Sequence, residues 1–186
     1  MTTNGNIARL YRQTAADLKR DEGFREFAYP DPLSLLARKY RRLRWGFVPA
    51  RQLLATIPEG PEHGHPWTVG YGFTTGVTPD SRISEPLASR KLDEKMPHYM
   101  RIALKYVPDL MEHPFAVQTV FLNMAFNMGH RLGQFVNTLA ALRRRDYALV
   151  ASNLSQSLWA RQVKGRAVYL IERVRTQQIA REHIVQ

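Results

Sequence analysis

Thr68-Val-Gly-Tyr-Gly-Phe73 is the stretch on which the reading of this chain turns. Val69 and Tyr71 alternate with Gly70 and Gly72, and glycines in a short extended run permit sharp turns and close backbone approach by a ligand. A hairpin is the economical interpretation. Upstream lie Asp21-Glu22-Gly23 and Tyr29-Pro30-Asp31, so the chain offers two carboxylates and then a hydroxyl.

Glu22 closes an amphipathic run, Ile7, Leu10, Tyr11, Thr14 and Leu18, whose spacings of three and four residues define one helical face. Gly23 follows as the C-terminal stop. A carboxyl group there sits near the negative pole of the helix dipole, which favours keeping its proton. Phe24 to Asp31 alternates polar and aromatic residues imperfectly and predicts extended chain entering a turn at Pro30. Glycoside hydrolysis needs a protonated carboxyl for the leaving oxygen and commonly a second, ionised carboxylate that activates water or attacks the sugar. Glu22 and Asp31, facing each other across a cleft, are the candidates.

In its ordered motifs the chain resembles the phage-type lysozymes and endolysins of glycoside hydrolase family 24, the family of the T-even phage lysozymes. The likeness spans nearly the whole sequence. It is carried by Asp21-Glu22-Gly23-Phe24 with Tyr29-Pro30-Asp31, by Pro66-Trp67-Thr68-Val69-Gly70-Tyr71-Gly72, and by Leu122-Asn123-Met124-Ala125-Phe126-Asn127-Met128-Gly129. Phe135, Asn137, Thr138, Ser157-Leu158-Trp159 and Gly165-Arg166-Ala167 extend it. The resemblance implies an α+β, mostly helical fold of two lobes with a small β-hairpin region. It implies Glu22 as general acid, Asp31 handling the nucleophilic water and Thr68 positioning that water. Tyr29, Gly70, Tyr71, Asn123 and Phe135 are the candidate substrate contacts. Peptidoglycan glycan strands are the implied substrate, cleaved at the β-1,4 bond between N-acetylmuramic acid and N-acetylglucosamine, with no metal or organic cofactor.

Two features depart from the family pattern. Phe73 stands where a histidine usually follows Gly-x-Gly, a loss expected to affect stability more than chemistry. Between Asp31 and Thr68 lie 36 residues where the T-even pattern has a few. In this insertion, 33–66, Ser34 is expected to cap a helix carrying Leu36, Tyr40, Leu43 and Phe47 on one stripe. Its other side is basic, with Arg38, Lys39, Arg41, Arg42 and Arg44. Such a face either is simply solvated or touches an anionic envelope or membrane surface. His63 and His65 lack a third ligand and predict no metal.

The chain has 186 residues, 44% of them hydrophobic, enough for one well-buried domain and cramped for two. The expected organisation is a single domain, 1–186: an N-terminal lobe of about 20–83 and a helical C-terminal lobe of about 84–186, completed by the first helix. No cysteine is present, which excludes disulfides and thiolate metal sites. The N-terminus carries no apolar core of signal-peptide length and no stretch approaches a membrane span. Accumulation in the host cytoplasm is therefore expected, with a holin-type protein releasing the enzyme to the periplasmic wall. The net charge of +11 favours polyanionic partners, but nothing resembles a dedicated nucleic-acid module. A monomer is expected.

Downstream, Ser84-Glu85-Pro86 signals a helix start, and Pro97 predicts a kink or break within that helix. His113-Pro114 opens the best core helix, through Val117, Val120, Phe121, Met124, Ala125 and Met128. Its Asn123 and Asn127 suit structural bracing as well as substrate contact. Asn137 and Asp146 are expected helix caps, Arg143, Arg144 and Arg145 a solvated cluster, and Arg166 a bracing residue. Two rival functions share these residues: a lytic transglycosylase acting on the same bond, and a non-catalytic wall-binding protein.

Overall fold

The computed structural model describes residues 3–58, 60 and 63–184, with side chains from 5 to 177 of these. It is mostly helical with one small antiparallel sheet, and it divides into two compact units, Leu18–Glu94 and the remainder. Each is built around its own apolar cluster.

In the first unit, α1 (Thr3–Glu22) delivers Glu22 and ends where Gly23, at φ +65°, donates its N–H to Lys19 O. β1 (Arg25–Tyr29) then pairs with β2 (Thr68–Gly70), Arg25 opposite Gly70 and Tyr29 opposite Thr68. Three residues of β1 lie opposite one of β2 between these pairs, so β1 bulges, and the Phe27 amide turns to Gly46 O at 3.1 Å instead. The other edge of β1 holds Ser81–Ile83: Ala28 N–H reaches Ser81 O and Ile83 N–H reaches Glu26 O. Glu26 and Arg82 form an ion pair across this edge.

The insertion departs from expectation. Ser34 does cap a helix, accepting from Ala37 N–H, but α2 spans just Leu35–Lys39. A longer helix would have stacked Arg38 against Arg41 and Arg42 at like-charge spacings, and Gly46 adopts φ +82°. The chain instead turns, and the Trp45 indole N–H donates to Tyr40 O. Leu36, Ala50 of α3 (Ala50–Leu53), Trp67 and Ala28 make a small core, with Tyr40 and Trp45 packed on it. Phe47, expected on the buried stripe, is 51% exposed.

α4 (Glu85–Tyr106) runs unbroken through Pro97, so of the predicted kink or break the break does not occur. Pro97 and Asp93 are both exposed, so water can satisfy the carbonyl that the proline leaves without a donor. In the second unit α5 (Phe115–Met128) is buried nearly all round, with Val117, Val120, Phe121 and Leu122 at 0% exposure. Around it gather α6 (Val136–Arg143), α7 (Tyr147–Gln156), α8 (Leu158–Val163) and α9 (Gly165–Ile184). Asp146 caps α7 through Leu149 N–H, as its position predicts. Asn137 does not cap α6: Phe135 occupies that position and makes no side-chain cap. A nearly buried ion pair, Arg173 with Asp17 at 2.6 Å, fastens α9 to α1.

Candidate active site

Glu22, Tyr29, Asp31, Thr68 and Gly70 all belong to the first unit, and the β1–β2 pairing sets Tyr29 opposite Thr68 and Arg25 opposite Gly70. Val69 and Phe73 exchange both backbone hydrogen bonds, closing Gly70-Tyr71-Gly72 into a tight loop. Gly72 takes φ +88°, and a methyl built on it would lie 3.8 Å from Glu22 Oε2. The carboxyl at the end of α1 is thus brought against the loop that follows Thr68.

Tyr29 and Thr68 face each other across the sheet. Burial pushes the Tyr29 phenol above its usual pKa, and the charge of Glu22 pushes the same way. Arg25 and the neighbouring Thr68 hydroxyl oppose this less strongly. At neutral pH Tyr29 therefore keeps its proton, and one phenol senses both Glu22 and Thr68. The Thr68 hydroxyl also lies 3.4 Å from Pro66 O, the long end of hydrogen-bonding range.

Asp31 sits two residues beyond Tyr29, in a turn fixed from three directions. Its N–H donates to Gly64 O, its carbonyl accepts from Ser34 N–H, and Oδ1 accepts from Leu33 N–H at 2.6 Å. Oδ2 has no partner among the described residues and remains available to water. The backbone thus orients one edge of this carboxylate and leaves the other open among the described residues.

The remaining predicted contacts are placed differently. Gly70 is buried, its α-carbon covered by the Phe73 ring and Ala88. Tyr71 is 2% exposed, stacks on Phe24 and donates its hydroxyl to Glu85 Oε1 at 2.8 Å. Phe73 is itself buried, in line with a packing role for the residue that replaces histidine. Asn123 and Phe135 belong to the second unit. Asn123 is wholly buried, and neither amide atom has a hydrogen-bond partner among the described residues.

Phe135 lines an open groove of about 560 Å³ with Asn127, Trp159 and Asn153. Trp159 meets the Phe135 ring edge-on and donates its indole N–H to Asn127 Oδ1. Asn127, which suits bracing or substrate contact from sequence, lines this groove, whereas Trp159 carries no such expectation. The signal available was the four-residue step from Asn123 to Asn127, which places two amides on one face of α5. No group of three or more histidine, aspartate or glutamate side chains poised to hold a metal occurs among the described residues. No described helix is long and apolar enough to cross a membrane.

A family model described as phage lysozyme matches residues 56–178. The chain belongs to the phage lysozyme family. The match takes in Thr68, its glycine loop and the groove around Phe135 and Trp159, and begins after Glu22 and Asp31. No curated relative matches the chain. Membership makes this phage lysozyme a glycosidase-type hydrolase of peptidoglycan, a lysis enzyme of the endolysin kind.

Proposed function

We propose that this phage lysozyme is an N-acetylmuramidase that hydrolyses the β-1,4 bond between N-acetylmuramic acid and N-acetylglucosamine to lyse its host. The observation that carries the reading is the β1–β2 pairing, which sets Tyr29 opposite Thr68, with Glu22 against Gly72 at the following loop. An acid, a hydroxyl and a turn-held carboxylate are thereby supplied by one short region.

Glu22 gives its proton to the bridging oxygen as the muramic C1–O bond lengthens and the sugar takes on oxocarbenium character. Asp31 Oδ2 and the Thr68 hydroxyl hold a water molecule for attack on that carbon. The water oxygen bonds to C1 and its proton passes to Asp31, leaving a reducing end and a free hydroxyl on the departing glucosamine. Room for that water corresponds to carboxyl groups about 6.5–9.5 Å apart and gives inversion. Tyr29 in the first unit and Phe135 in the second, both partly exposed, are each proposed as a substrate contact. Gly70, Tyr71 and Asn123 are buried, each within its own unit.

Mass spectrometry and NMR of muropeptides released from purified peptidoglycan test the reaction. Reducing muramic ends formed with inverted anomeric configuration are expected. Anhydro ends would establish a lytic transglycosylase instead, retained configuration would refute the water role of Asp31, and wall binding without release would leave a binding protein. We further propose that the enzyme, a monomer, accumulates in the host cytoplasm and needs a separate membrane-permeabilising protein. Lysis on expression without such a helper would contradict this.

A further inference from the structure

The stretch from Pro32 to Pro58 contains six cations, Arg38, Lys39, Arg41, Arg42, Arg44 and Arg51, and no carboxylate. Arg51 is neutralised by Asp80 at 2.6 Å. The other five are exposed, and none forms an ion pair among the described residues. Lys39, Tyr40, Arg41, Arg42 and Leu43 line a concavity of about 330 Å³, a basic hollow of the right character for a phosphate group.

Apolar side chains accompany this charge. Leu36 turns inward onto Trp67 and Ala50, but Leu33 is 78% exposed, Leu35 53% and Phe47 51%. The guanidinium groups of Arg25 and Arg44 lie 4.3 and 5.6 Å from the centre of the Phe47 ring. The platform is firmly held, by the Phe27 amide on Gly46 O and by the edge contact of Trp45 with Trp67. Cations alone would serve any polyanion, but leucines left in water beside them are covered by a surface with an apolar layer beneath its phosphates.

We infer that segment 33–47 is a membrane-surface seat that binds an anionic phospholipid bilayer. Arg38, Lys39, Arg41 and Arg42 take the lipid phosphates, and Leu33, Leu35 and Phe47 enter the boundary between headgroups and acyl chains. The seat is covalently continuous with Asp31 at one end and packs on Trp67, the neighbour of Thr68, at the other. Lipid binding therefore holds the first unit at a membrane adjoining the wall that the enzyme cuts.

Co-sedimentation of the full chain with vesicles of phosphatidylglycerol and phosphatidylcholine in equal parts, and with phosphatidylcholine alone, tests the inference. Binding to the anionic vesicles and not to the neutral ones is expected. Replacing Arg38, Arg41 and Arg42 together by Gln should weaken that binding about 100-fold, at roughly one order of magnitude for every one to two charges removed. The pair Leu33→Ser and Leu35→Ser should weaken it about tenfold with every charge retained. Both variants should release reducing ends from purified peptidoglycan at the wild-type rate, which separates this surface from the hydrolytic site. Equal vesicle binding by wild type and the arginine variant would overturn the inference. So would an arginine-dependent affinity that the leucine changes leave untouched, which would mark a seat for soluble polyanions such as lipopolysaccharide or nucleic acid.

Discussion

Tyr29 ties the site together at the level of single residues. Its phenol, kept protonated by burial and by the Glu22 charge, faces Thr68 across the strand pair. Tyr29→Phe removes that hydroxyl and preserves the ring. A hydroxyl that positions substrate beside Thr68 is worth about 1 kcal/mol, so kcat/KM on soluble glycan should fall about fivefold, with folding stability little changed. Steady-state kinetics and thermal melting check both. That Glu22 comes close to the loop after Thr68 was legible from the ordered motifs. The placement of Tyr71 was not, because the sequence gives no sign that Glu85 would claim its hydroxyl. Asn123 posed a similar difficulty: an amide inside an apolar helix stripe reads equally as brace or as ligand contact.

Local pattern succeeded for elements whose apolar spacing agrees with their burial. α5 and the Asp146 cap of α7 are such cases, since periodicity and capping chemistry point to the same structure. The insertion failed that test. Its stripe of Leu36, Tyr40, Leu43 and Phe47 has helical spacing, but the cation cluster and the left-handed backbone of Gly46 override it. Pro97 misled in the opposite sense, because an exposed proline removes a hydrogen bond that water replaces. Trp67 is the element-scale anchor: it is 1% exposed, meets Trp45 edge-on at 6.0 Å and immediately precedes Thr68. Trp67→Ala should cost about 3–5 kcal/mol by opening a cavity where β2 begins. Chemical denaturation measures the loss, and a loss below about 1 kcal/mol would show that the insertion does not rest on this side chain.

Across the whole molecule, charge and acid response follow from buried groups as well as exposed ones. His113 lies buried against the Tyr147 hydroxyl at 3.1 Å and Asp109 at 3.3 Å, with Glu112 and Arg145 nearby. Burial lowers its pKa below the ordinary histidine value of 6.5, outweighing the attraction of Asp109. The unfolded chain therefore takes up this proton at higher pH than the folded chain does. Stability from neutral His113 is complete above the ordinary value and is lost as pH falls through the lowered one. The melting temperature should decline from pH 7 towards pH 5, and less steeply in His113→Phe; parallel declines would assign the acid sensitivity elsewhere. The net charge of +11 adds a general attraction to anionic polymers.

The proposed hydrolysis depends on Glu22 acting as the acid, so the most direct measurement is the rate of reducing-end release from purified peptidoglycan by Glu22→Gln beside wild type, with melting curves confirming equal folding. Loss of general acid catalysis should lower that rate by about 1,000-fold. A folded Glu22→Gln enzyme that retained more than about a tenth of the wild-type rate would contradict the assignment.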